Sequence, residues 1–223
     1  MEDPIEYELP GILQTQVNQE GGYTFPSALR ALLRQNPDIM MIGEIRDDET
    51  ANIAVQASLT GHFVLSTLHT NDASGAIPRL LNMGLRADDL ATAANGFMAQ
   101  RLVRKLCECR KEAMPTPGQK EKIENAIKSI SVKSGVVAPK SYKIYEPNGC
   151  EKCNGIGFKG RTTVSEILIV NKDIEEMING GELASHIRTK AIEGGMITMQ
   201  QDGILKVLEG ETTIEEVERV TEE

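Results

Sequence analysis

Aromatic side chains make up 4% of this 223-residue chain, and no apolar run approaches the length of a membrane span. A span needs about 18 consecutive apolar residues, and the densest stretch here is Ile39-Met40-Met41-Ile42. No transmembrane segment is therefore expected. A secretory leader is not visible, because Glu2, Asp3, Glu6 and Glu8 stand where a basic and then apolar stretch belongs. Basic residues are outnumbered 33 to 24, giving a net charge of −9. That balance argues against a general nucleic-acid binder, which displaces counterions with a basic face. The scarcity of aromatics also removes the stacking platform of a single-strand binder. Four cysteines without an export signal point to a metal site or free thiols before disulfides.

What is present suffices for a globular fold. Apolar residues make up 40% of the chain, enough to bury a core and exclude wholesale disorder. The first residues form a charged turn with no element before it, which suggests a chain begun inside a larger protein. The end has helix-start chemistry in Thr213-Ile214-Glu215-Glu216-Val217 and fades into Thr221-Glu222-Glu223.

Thr24 to Asn36 reads as a helix: Pro26 suits a first turn, Ala28, Leu29, Leu32 and Leu33 recur at helical spacing, and Pro37 stops it. Ile39 to Ile42 reads as a parallel strand buried on both faces, ending in Gly43-Glu44. Asp48 is expected to cap a second helix that Gly61 ends. Phe63-Val64-Leu65 begin a second buried strand that turns polar at Ser66, Thr67, His69 and Thr70. A third helix runs from Asp72 to Gly84, and a long fourth one from Ala87 to Lys105. This alternation of strand and helix predicts an α/β domain with a parallel sheet. After Leu106 the texture changes. Gln119 to Ile130 reads as a Lys-rich helix, Cys150 to Gly160 is dense in glycine, and amphipathic helix continues from Ile174. Three segments are expected: a core over 1–106, a cysteine-containing insert over 107–160, and a helical C-terminal subdomain over 161–223.

In an open α/β sheet, ligands bind beyond the carboxyl ends of the strands. The first strand delivers Glu44 there, and the second delivers Thr67, His69 and Thr70. Those residue types suit phosphoryl transfer to water, with an acidic group to orient or deprotonate the water and donors to hold a γ-phosphate. On pattern alone a second reading stands beside it: Glu44 and Arg46 simply begin a helix as surface charge. His62 and His69 flank one strand at an odd spacing of seven, on opposite faces, and do not suit a shared metal. His186, in the helical tail, reads as a surface or packing residue. A phosphate-cradling G-x-x-x-x-G-K-[ST] loop is absent. The stretch from Gly155 to Thr162 resembles one superficially, but Arg161 stands where the lysine belongs.

Cys150-Glu151-Lys152-Cys153, with glycines after it at 155, 157 and 160, has the shape of a zinc knuckle. Cys107-Glu108-Cys109 is a second, tighter pair. Together they supply the four sulfurs of a closed structural zinc site, although the first pair is one residue short and free thiols remain the alternative. A thioredoxin-like redox role does not fit a C-x-x-C in a glycine-rich loop.

Longer stretches carry a resemblance. Glu2 to Tyr7 resembles the aspartate box of the type II secretion and type IV pilus assembly ATPases. Gln14 to Asn18 and Leu29 to Gln35 resemble the family's segment next to that box. Asn36 to Asp47 is similar to that family's Walker B motif, and Thr60 to Asn71 to its histidine box. Gly160-Arg161-Thr162, Glu166-Ile167-Leu168, Gly195 to Met199 and Asp202-Gly203 resemble its C-terminal region.

The resemblance implies a RecA-like P-loop NTPase core with a zinc module and a helical subdomain. It implies a cytoplasmic hexamer at the inner membrane that hydrolyses ATP between subunits to build a pilus or pseudopilus, docked on a membrane platform protein and without direct nucleic-acid contact. By resemblance Glu44 activates water, Glu2 and Glu6 hold Mg²⁺ or its waters, and His62 and His69 contact the γ-phosphate. Arg46 and Thr67 join them as nucleotide contacts. His62, at the strand's start, rests on the resemblance alone. Arg30, Arg34 and Arg46 are candidates to reach across a subunit interface. Cys107, Cys109, Cys150 and Cys153 resemble the tetracysteine zinc module of assembly motors, which retraction motors generally lack. The family shows C-x-x-C where this chain has Cys107-Glu108-Cys109, and its Walker A motif lies before the aspartate box. The expectation is therefore a C-terminal part of the motor, inactive alone. The competing expectation is a non-catalytic, zinc-stabilised module that docks to the platform protein.

Overall fold

Two compact units make up the chain: Met1–Phe97 with Val170–Ile187, and Met98–Ile169 with Arg188–Glu223. The computed structural model describes residues 1–137, 139 and 142–221, so Glu222 and Glu223 of the expected tail lie outside the described residues. These units cut across the three segments read from the sequence. The C-terminal helices are shared between them, and the cysteine-bearing insert falls within the second.

In the first unit, α1 (Phe25–Leu33) starts at a reciprocal cap in which Thr24 and Ser27 each accept the other's backbone N–H through a side-chain oxygen. Asn36, at φ 49°, and Pro37 end the segment. β1 (Ile39–Ile42) comes next. Then α2 (Asp48–Leu59) is capped by Asp47, whose Oδ1 accepts the Thr50 N–H at 2.7 Å, and not by Asp48 as expected. Asp48 instead lies in the first turn, where its charge favours the helix dipole. Gly61, at φ +96°, turns the chain into β2 (Phe63–Ser66).

The two strands are parallel, as the sequence predicts, and pair in the register Ile39↔Phe63 to Ile42↔Ser66. They are not buried on both faces. Met40 and Ile42 are buried, whereas Ile39, Met41, Phe63 and Leu65 are exposed. This sheet has two strands among the described residues. Its side chains alternate between a packed face and an open one.

Asp72 does not begin the third helix. Its Oδ1 accepts the Gly75 N–H and the Ser74 hydroxyl, each at 2.7 Å, and so closes a turn before α3 (Ala76–Asn82). The expected long fourth helix is two elements, α4 (Ala87–Ala93) and β3 (Gly96–Leu106). Ala99 and Val103 face inward while Gln100, Leu102 and Arg104 face out, a period of two. Leu102, Val103 and Leu106 fit helical spacing equally well, which is why the sequence reading merges them into the helix. Leu29, Ile42, Ile77 and Leu90 lie in this unit's core with Ile174 and Ile178 of α6 (Lys172–Asn179).

In the second unit, β4 (Lys111–Ala113) pairs antiparallel with β5 (Ile144–Glu146). Between them α5 (Pro117–Lys128) has its own reciprocal cap at Thr116 and Gln119. β3 pairs with β6 (Phe158–Ile169), a strand that stands where the sequence reading opens a helical subdomain. After α7 (Ala184–Gly194) come α8 (Met199–Leu208) and α9 (Ile214–Thr221). Ile123, Ile144, Ile204, Val207, Ile214 and Val217 form one buried cluster. Burial at about 25 cal/mol per Å² of apolar surface makes such a cluster the main stabilising term of the unit. Gly203 lets α8 and α9 approach: a Cβ there would lie 2.4 Å from Val217 Cγ1. Among the described residues no helix is long and apolar enough to cross a membrane.

Candidate functional site

The carboxyl ends of β1 and β2 are tied together by short bonds. The Thr67 hydroxyl donates to the Gly43 carbonyl at 2.6 Å, and the Ile45 N–H donates to the Thr67 carbonyl at 3.1 Å. Gly43 N–H donates to the Met1 carbonyl at 2.8 Å, and a Cβ on Gly43 would lie 3.1 Å from that oxygen. The ties leave the side chains of Glu44 and His69 on one rim, with His69 Nε2 3.3 Å from Glu44 Oε2.

The same Glu44 oxygen accepts Arg46 Nε at 2.6 Å. The Glu44 side chain is 15% exposed, whereas His69 and Arg46 stand out in solvent. The Arg46 bond is the largest influence on Glu44 and holds its carboxyl below the usual range; burial opposes this, and His69 adds to it. In return Glu44 raises the Arg46 pKa, with a smaller contribution from the Asp3 carboxylate. The result is a recessed, ionised carboxylate beside a cation and an imidazole. Such a group can orient water and accept its proton. The planar Arg46 guanidinium has further donors suited to phosphate oxygens.

The remaining predicted residues are placed differently. Glu2 runs beside Gly43, and its Oε2 accepts Gln14 Nε2 at 2.9 Å. Glu6 is exposed on the loop after the cis Asp3–Pro4 bond. The hydroxyls of Thr67 and Thr70 are used in backbone ties, Thr67 to Gly43 and Thr70 to the Asp72 carbonyl at 3.0 Å. His62 lies at the opposite end of β2, where its Nδ1 is 3.0 Å from the Ala57 carbonyl at the end of α2. The structure therefore does not bring His62 to the Glu44 rim. Of the candidate interface arginines, Arg30 pairs with Glu49 at 2.6 Å. Asp3 is a residue the sequence reading overlooks. Its signal is its place between Glu2 and Glu6 in an acidic segment that meets Arg46.

The cysteine cluster lies in the second unit. Cys107 and Cys109 come from the turn after β3, closed by the Arg110 N–H donating to the Cys107 carbonyl at 2.9 Å. Cys150 caps the single 3₁₀ turn Glu151–Cys153, and Cys153 is its last residue. The four sulfurs lie within 4.8 Å of one another. Cys107 to Cys150 is 3.8 Å, Cys109 to Cys153 is 3.9 Å and Cys150 to Cys153 is 3.7 Å. A tetrahedron with Zn–S bonds of about 2.3 Å has edges of ~3.8 Å, so the spacing fits zinc.

Charge at the cluster is divided. At Cys153 burial opposes ionisation, but the N–H groups of Cys150 and Gly157, 3.1 and 3.2 Å from its sulfur, outweigh it and bring the thiol down to about 6. Cys109 is pushed up to about 12, first by burial and then by the neighbouring sulfurs. A thiolate cluster of this kind can hold a divalent soft-to-borderline metal ion. The tight Cys107-Glu108-Cys109 pair closes onto the second pair despite its missing residue.

The chain is similar to known proteins. A sequence model of the family described as type II/IV secretion system protein matches residues 1–219. The type II secretion system protein E of Dickeya dadantii is 49% identical over the whole chain, which spans 42% of that relative. The type IV pilus assembly ATPase PilB of Thermus thermophilus is 47% identical over 97% of the chain, which spans 24% of it. The chain thus spans less than half the length of these curated relatives. Among solved structures, the pilus retraction motor PilT with bound ADP superposes with a TM-score of 0.64 at 25% identity, over the whole chain and 51% of PilT. The Yersinia pseudotuberculosis ATPase DotB superposes with a TM-score of 0.66 at 22% identity, over 99% of this chain and 47% of DotB. The fold is RecA-like. The chain belongs to the type II/IV secretion system protein family.

Proposed function

We propose that the chain supplies the water-activating rim of an ATPase that powers type IV pilus or type II pseudopilus assembly. The observation that carries this reading is the junction of Glu44, Arg46 and His69 on one carboxylate oxygen at the carboxyl edge of a parallel sheet. Glu44 is the group that orients and deprotonates the attacking water. Its bond to Arg46 keeps it ionised, and His69 stands ready to meet a γ-phosphate. Arg46 has donors for the same phosphate once it leaves Glu44, and Asp3 steadies its charge. Mg²⁺, when bound, neutralises the phosphate oxygens, and the Glu2 carboxylate beside Gly43 is the nearby group suited to its waters. By resemblance alone, the exposed Glu6 is carried as a second group for Mg²⁺ or its waters and His62 as a γ-phosphate contact, although His62 stands at the opposite end of β2. Thr67 acts by holding Gly43.

The cysteine cluster holds one structural zinc ion, supported by its tetrahedral sulfur spacing. The working location is the cytoplasmic face of the inner membrane, against a platform protein.

The test joins the chain in frame to the preceding part of the Dickeya dadantii relative. Mg²⁺-dependent ATP hydrolysis is expected, and Glu44→Gln removes it. Hydrolysis that survives Glu44→Gln at full rate refutes the assignment of Glu44, and a joined protein that turns over no ATP favours the non-catalytic docking module.

A further inference from the structure

The segment that carries the first cysteine pair is also the dock of the C-terminal helix. The Arg104 N–H donates to Glu216 Oε2 at 2.9 Å, and the Arg104 carbonyl accepts the Thr212 hydroxyl at 2.8 Å. The Leu106 N–H donates to the Glu211 carbonyl at 2.7 Å. On the other side of the pair, Arg110 Nη1 donates to the Gly210 carbonyl at 2.5 Å. These bonds bracket Cys107 and Cys109, and all of them end on residues 210–216, the turn and first residues of α9.

Packing reinforces the dock. The Arg110 guanidinium lies over the Tyr145 ring, 4.8 Å from its centroid. Gly210, at φ +75°, faces the same ring so closely that a Cβ would stand 2.6 Å from Cδ2. Thr212 is fully buried and Glu216 nearly so. The cysteine segment is held from the other direction by the Cys107 N–H, which donates to the Gly157 carbonyl at 2.9 Å. Four thiols at van der Waals separation add little restraint. A metal ion replaces those contacts with four bonds of fixed length and angle between the turn at 107–109 and the loop at 150–153.

We propose that metal occupancy of the cysteine cluster latches α9: the ion fixes residues 104–110, and these fix residues 210–216. The proposal rests on the cluster's reading as a zinc site. Because the coupling joins two events on one segment it is reciprocal, so loosening the dock also loosens the metal.

The test uses the whole chain, purified with zinc, its metal content measured before and after chelation. Hydrogen exchange is followed by mass spectrometry. On zinc removal, exchange over residues 204–221 is expected to rise by about tenfold or more, while α2 in the first unit stays unchanged. Arg110→Gln, which weakens the dock without touching a cysteine, is expected to speed zinc release several-fold. One bound zinc whose removal leaves exchange over 204–221 unchanged overturns the latch and spares the metal centre. Exchange that rises equally in α2 also overturns it, because the ion would then support the whole chain. A chain that takes up no zinc overturns both readings.

Discussion

Glu216 is the group through which the C-terminal helix can be weighed. Its carboxylate is 3% exposed and receives Arg104 Nη2 at 2.6 Å, the Arg104 N–H at 2.9 Å, and Arg219 Nε and Nη2 at 3.2 and 2.9 Å. Burial works against the charge, but the Arg104 and Arg219 bonds outweigh it and bring the carboxyl down to about 2 from an ordinary 4.5. Each unit of such a difference is about 1.4 kcal/mol, so the ionised carboxylate stabilises the fold by ~3 kcal/mol. The folded pKa is depressed. The contribution is therefore complete above about pH 4.5 and is lost as pH falls from there towards 2. Both guanidiniums are half exposed and regain water when the partner goes. Glu216→Gln, which keeps one acceptor, is thus expected to cost about 2–3 kcal/mol at pH 7. Because two units need not unfold together, the assay is local: hydrogen exchange of peptides covering β3 and α9, corrected for intrinsic rates, at pH 7, 5.5, 4 and 3. At pH 7 protection in the variant should fall by roughly 30- to 150-fold. The gap should narrow below pH 4.5, shrink to roughly 40% of its free energy at pH 3, and nearly close only near pH 2. A gap of the same size at pH 3 as at pH 7 refutes the electrostatic account, because packing lost with the side chain has no such pH dependence.

The same geometry sets three further outcomes. In the protein joined to the preceding part of its Dickeya dadantii relative, Glu44→Gln should lower the turnover number by about 10² or more with little change in nucleotide affinity, read from steady-state kinetics and a nucleotide-binding titration. Gly157→Ala puts a Cβ 2.4 Å from Pro147 Cβ at φ +82°, beside the N–H that bonds the Cys153 sulfur. It should cost about 2–4 kcal/mol and weaken zinc retention, measured by chelator competition. Gly203→Ala drives a methyl into Val217 and should cost about 1–3 kcal/mol, measured by thermal unfolding.

Local spacing carries part of the fold into view. β1, β2 and α1 are legible because a short apolar run or a capped periodic stretch announces each. The merged α4 and β3 show the limit. Leu102, Val103 and Leu106 satisfy two periods at once, and the decision falls to pairing with β6, 50 and more residues away. β6 is hidden by its own core. Its inward positions include Val164, Glu166 and Leu168, and a glutamate at the centre spoils the apolar alternation. Glu166 is fully buried because Arg188 donates to both its oxygens at 2.7 and 2.9 Å. That partner lies 22 residues away and leaves no trace in local spacing.

The two candidate sites differ in the same way. Glu44 and His69 are legible together because each comes after an apolar strand, and a parallel register of four residue pairs brings strand ends to one edge. What spacing does not supply is the charge state. The Arg46 bond to Glu44 depends on the turn that Gly43 and Thr67 hold closed, and Asp3 reaches that turn from a separate segment. At the cysteines local spacing understates the site. A pair one residue short of C-x-x-C looks unfit by spacing. Yet Cys107 and Cys109 need not form a knuckle by themselves, since their positions are imposed by β3 before them and by Arg110 after them. Ligand convergence here is a property of the dock as much as of the motif. That is why a bond between the Arg110 side chain and Gly210, which involves no sulfur, is expected to govern how long the metal stays.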